Sequence, residues 1–109
     1  MGNPAAVIMT TVAGPEAAAR LAGLLVEEHL AACVQEAPIT STYRWEGAVQ
    51  REAEILLLVK TAADRVPAAV ARIQEAHPYT VPEVLVVEAS DGAPAYLAWL
   101  AGETRPAGS

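Results

Sequence analysis

Between residues 39 and 46 an extended chain sorts its side chains onto two faces. Ile39, Ser41, Tyr43 and Trp45 fall on one side, and Thr40, Thr42, Arg44 and Glu46 on the other. β-Branched and aromatic residues at period two predict a strand. Glu46-Gly47 predicts a turn, because glycine takes a positive φ without steric cost. The run 55–59 is continuously apolar and of strand length, which predicts a second arm covered on both faces. Together these segments read as a long β-hairpin. An arm over 33–46 would reach roughly 45 Å at about 3.3 Å per residue. A domain of this size is only about 35 Å across. Either the arm bends, with Pro38 as a bulge or edge position, or its tip reaches another subunit. Tyr43 and Trp45 suit an interface better than water.

The rest of the pattern divides cleanly. Residues 5–12 form a short apolar run with Val, Ile and Thr, a first strand closed by Ala13-Gly14-Pro15. Pro15 and Glu16 fit the first turn of a helix, and Ala18, Leu21, Ala22 and Leu25 give it a buried face. That helix is predicted to run to about Leu30. After the hairpin, 61–64 offers helix-capping residues. A second helix then turns Val66, Ala69, Val70 and Ile73 inward, and it stops by His77 because Pro78 disfavours a helical residue before it. Residues 83–88 read as a fourth strand, Asp91-Gly92 as a turn, and Pro94 as the start of a short third helix carrying Tyr96, Leu97, Trp99 and Leu100. Residues 1–4 read as a loose end and 102–109 as a polar, frayed tail.

The resulting order is β-α-β-β-α-β-α. Its first six elements are those of the α+β, ferredoxin-like split βαβ fold, an antiparallel sheet with two helices on one face. The chain of 109 residues suffices for a single domain, 1–109, with its core over about 5–101. Only the small third helix is available for the opposite sheet face, although the central strands are apolar on both sides. Subunits covering one another would resolve that.

Composition narrows the function. Hydrophobic residues make up 53% of the chain and charged ones 18%, which excludes disorder. A net charge of -6 argues against nucleic acid and against anionic membrane surfaces as partners. No apolar run approaches the ~20 residues of a membrane span, and no secretory leader is evident. A cytoplasmic protein is expected. Cys33 is the sole cysteine, so neither an internal disulfide nor a thiol-rich metal finger is possible. A Gly-rich phosphate loop and a Gly-x-Ser-x-Gly elbow are both absent, so binding is expected rather than catalysis.

Several ordered motifs carry a family resemblance: Leu30-Ala31-Ala32-Cys33-Val34, Tyr43-Arg44-Trp45-Glu46-Gly47, Lys60-Thr61, His77-Pro78-Tyr79-Thr80-Val81-Pro82-Glu83 and Tyr96-Leu97-Ala98-Trp99-Leu100. Together, from about Ala6 to Leu100, they resemble the CutA divalent-cation tolerance family. The resemblance implies a homotrimer like that of the PII signalling proteins, with long hairpins packed between subunits, and a link to copper and other divalent metal ions. Gln35 stands where that family commonly has Asn, and His29 where it usually has a basic residue.

Candidate chemistry follows from these positions. Cys33 matches the family's cysteine; it is a soft ligand suited to copper or a small buried hydrophobe. His77 is a metal ligand or a cation at a helix C-terminus. His29 shares a helix face with Cys33 only if the helix continues through both. Tyr43, Trp45, Lys60, Tyr79, Glu83 and Trp99 match family positions and would line a cleft between subunits, with Lys60 holding an anion. The alternative is aromatic interface packing with a Lys60–Glu83 ion pair. Three or four conventionally spaced ligands are lacking in one chain, so a metal site would draw on adjacent copies.

Overall fold

β1 (Ala5–Val12) lies inside a four-stranded sheet, flanked by β3 (Ala48–Ala62) and β4 (Leu85–Ala89). β2 (Cys33–Trp45) pairs with the outer side of β3, giving the order β2-β3-β1-β4 with antiparallel neighbours throughout. The computed structural model describes residues 3–106. Met1, Gly2 and residues 107–109 of the expected loose ends lie outside the described residues. The helices are α1 (Pro15–Glu27), α2 (Val66–Ala76) and α3 (Pro94–Glu103). The expected α+β split βαβ order is the observed one.

Strand register sorts the side chains. Ile8, Val12, Leu57 and Val59 point to the face where α1 contributes Ala18, Leu21 and Leu25 and α2 contributes Ala69 and Ile73, all buried. Non-polar area removed from water here is the main source of stability. The opposite face carries Val7, Met9, Leu56 and Leu58, all half-buried, with Leu85 and Val87 exposed at 60% and 51%. α3 covers only one end of it, packing Leu97 and Leu100 on Ala5 and Ala62. Within the protomer the 55–59 run is deeply buried on one face alone, at Leu57 and Val59.

Of the two alternatives for the hairpin, the arm without a bulge is the observed one. Pro38 faces Ile55 in an uninterrupted register from Cys33↔Lys60 to Trp45↔Ala48, so no bulge forms there. Pro38 is tolerated because β2 is an edge strand and its missing N–H faces outward. The second arm begins at Ala48, at the turn itself. β1 supports β3 only as far as the Val12↔Ile55 pair. Beyond it, residues 39–54 form a two-stranded ribbon, and the molecule measures 46 × 27 × 21 Å. Glu46 (φ 49°) and Gly47 (φ 81°) both take positive φ, the twisted turn that matches strand twist.

Other boundaries shift for local reasons. α1 ends at Glu27, not near Leu30, because His29 adopts the left-handed conformation (φ 58°) and the Leu30 and Ala31 N–H groups both return to the Leu25 carbonyl. The expected side-chain cap before α2 is replaced by a 3-10 turn over Ala63–Arg65. β4 starts at Leu85 rather than Glu83. The segment after Gly102 is anchored as far as Arg105: Thr104 is buried and donates to the Leu100 carbonyl, and the Arg105 guanidinium makes two 2.7 Å bonds to Asp64. Arg105 holds the Asp64 carboxyl below the usual carboxylate range. One residue earlier, the Ala63 N–H donates to the Pro4 carbonyl at 3.0 Å.

Candidate functional site

The sheet face that α3 leaves open collects most of the candidate residues. In β2, Cys33, Tyr43 and Trp45 share one parity; in β3, Lys60 lies opposite Cys33 and Tyr43 lies opposite Gln50. The register thus places Cys33, Tyr43, Trp45 and Lys60 on the same face as Leu85 and Val87.

Within that face they separate into two groups. At the α3 end sit Cys33, half-exposed, and Lys60, half-buried, side by side. Trp99 belongs to this end through α3, where its ring lies 5.6 Å from that of Tyr96. At the hairpin end the Tyr43 hydroxyl donates to Glu52, and the Tyr79 hydroxyl donates to Glu54 at 3.0 Å. Six residues of strand separate Lys60 from Glu54, roughly 20 Å. Glu83 is exposed, and the expected Lys60–Glu83 ion pair does not occur among the described residues.

His77 is buried behind Tyr79 of the hairpin-end group. Its Nε2–H donates to the Thr11 carbonyl at 2.8 Å, and its Nδ1 accepts the Tyr79 N–H at 3.0 Å. A carbonyl only accepts and a backbone N–H only donates, so these partners assign the neutral Nε2–H tautomer. Both ring nitrogens are engaged, and the ring ties a loop to β1 instead of capping α2 as a cation. His29 donates through Nδ1 to the Glu103 carbonyl at 3.2 Å, and α1 ends before it, so it forms no helical pair with Cys33. Among the described residues, no three His, Cys, Asp or Glu side chains gather into a metal site. On the open face one protomer therefore offers a single thiol, Cys33.

Two functional-looking residues were missed by sequence reasoning, Glu52 and Glu54. Their signal was available: carboxylates two apart in a strand, on the face of Tyr43. Burial first, then the Glu54 hydrogen bond, pushes the Tyr79 phenol up to about 12; the Glu52 bond raises Tyr43 as well. A phenol whose folded value exceeds its unfolded one, about 10, contributes stability below pH ~10 that is withdrawn as pH rises to the folded value. We expect phenolate absorbance to show a last step near pH 12, lost in Tyr79→Phe. Stability between pH ~10 and the folded value should fall more steeply in the parent chain than in that variant.

Comparison with known proteins places the chain. The model of the CutA1 divalent ion tolerance protein family matches residues 6–103. A divalent-cation tolerance protein CutA from Thermus thermophilus is 46% identical over 90% of this chain and 96% of its own length. A chloroplastic protein CutA 1 from Oryza sativa subsp. japonica is 44% identical over 94% of this chain, which spans only 58% of that relative. The apo structure of a PII-like protein CutA from Nostoc sp. PCC 7120 superposes with a TM-score of 0.88 at 38% identity, covering 93% of this chain and 98% of the other. With the split βαβ fold, the long hairpin and the motifs along one sheet face in place, this chain belongs to the CutA1 divalent ion tolerance family.

Proposed function

We propose that this chain works as a cytoplasmic homotrimer that binds copper or another divalent metal ion and takes part in the response to metal ions. Binding, not catalysis, is its role. The observation that carries the reading is the placement of Cys33, Tyr43, Trp45 and Lys60 along one sheet face that the chain's own helices leave open. A second copy lying on that face would bring separated groups together, and threefold repetition would multiply the one thiol, Cys33, into a set. His77 joins such a set only by giving up Thr11 or Tyr79. A sole cysteine fits a reducing compartment, where a thiol persists.

Titration of the purified full chain with copper, read by mass spectrometry of the intact assembly, tests this. Bound copper is expected, with binding lost in Cys33→Ala and weakened in His77→Ala. Undetectable copper at micromolar excess would overturn the metal reading. A second reading is favoured by Lys60, a half-buried cation without an ion-pair partner among the described residues: a PII-like signalling trimer holding a small anionic ligand between subunits. Thermal stabilisation by nucleotides or carboxylates that disappears in Lys60→Ala would favour it, while Cys33→Ala would then leave ligand binding intact.

A further inference from the structure

The hairpin loses its support from β1 at Val12↔Ile55, and the next residue outward on β3 is Glu54. Glu54 is the residue that Tyr79 grips, at 3.0 Å. Tyr79 is itself held. Its N–H donates to His77, its ring lies 4.8 Å from the imidazole, and His77 in turn donates to the carbonyl of Thr11, the penultimate residue of β1. Pro78 and Pro82 restrict the loop that carries these groups. A continuous chain of contacts thus runs from the end of β1, through the loop before β4, to the first unsupported residue of the ribbon.

A two-stranded ribbon is marginal in water on its own. We infer that His77, Tyr79 and Glu54 form a strut that fixes how the hairpin leaves the sheet, so that the loop before β4 governs the order of the ribbon. The arrangement argues for this over general stability. Tyr79 reaches past the sheet's supported part to bond a ribbon residue, and His77 spends both ring nitrogens on orienting that one loop. Ordering the ribbon in advance lowers the entropy lost when a partner docks against it. The strut requires no metal, so failure of the copper titration leaves it standing.

Hydrogen exchange followed by mass spectrometry on the full chain tests the strut. In Tyr79→Phe and in Glu54→Ala, peptides within 39–54 should exchange about tenfold faster, the weight of one charge-assisted hydrogen bond in a local opening. Peptides from β1 and α2 should keep their parent rates. Glu54→Gln retains a neutral acceptor for the hydroxyl and should fall between the parent and Glu54→Ala. The strut is overturned by unchanged ribbon exchange in both variants, by acceleration spread equally over β1 and α2, or by Glu54→Gln behaving like Glu54→Ala. Glu54→Ala removes only a half-buried surface carboxylate, so it serves if Tyr79→Phe fails to fold.

Discussion

The parent chain should sediment as a trimer, and Val87→Asp as a folded 11.4 kDa particle. Val87 lies in β4 on the open face, exposed at 51%, two residues from Leu85 at 60%. Neither touches the core beneath α1 and α2. In a lone protomer a carboxylate there meets water and costs almost nothing. Seated against a second copy, it would be stripped of water without a partner, a penalty of several kcal/mol. Such a penalty is comparable with the whole free energy of a micromolar association, about 8 kcal/mol. The helical circular dichroism of the variant should match the parent's. Parent chains that sediment as monomers at all concentrations would remove the trimer, and the composite metal site with it.

Leu57→Ala should be the most damaging single truncation inside the protomer. Leu57 is fully buried between the sheet and the helices, and the two central strands clamp it through its pairing with Thr10. Loss of its side chain removes transfer energy and leaves a cavity, costing about 2–5 kcal/mol. Domains hold only about 5–15 kcal/mol in total, so chemical denaturation should show a large fall in midpoint. Leu56→Ala, one residue away on the open face, gives the contrast. In a dissociated protomer its cost is small, because Leu56 is only half-buried there. In an assembly that covers the face its cost approaches that of Leu57 and depends on protein concentration.

These two neighbours also show what could be read from the chain and what could not. Ile55-Leu56-Leu57-Leu58-Val59 announces a strand but gives no difference between its faces, since every position is apolar. Only register against β1 separates Leu57 from Leu56. The alternation from Ile39 to Trp45 and the glycine at 47 made the hairpin legible, because period and turn chemistry are local. The end of α1 was not legible, since His29 takes a backbone conformation that composition does not announce. The site was half visible. Cys33, Tyr43, Trp45 and Lys60 share a face by strand parity, which can be counted in advance once the register is known. The partners of Tyr79 and His77 could not be counted, because Glu54 lies 25 residues and Thr11 66 residues away along the chain. The Tyr79–Glu54 pairing adds to a candidate cleft aromatic a contact within the protomer at the base of the ribbon.

The two described ends of the polypeptide converge on one spot. Pro4 accepts the N–H of Ala63, and Arg105 grips Asp64, the very next residue. A short flexible linker could therefore bridge them, and the molecule could be reopened in the exposed segment at Asp91-Gly92, which forms no regular turn, as a circular permutant. Such a rearranged gene would move both new termini beside β4, handing the experimenter a tether at the strand whose outer edge is unpaired among the described residues.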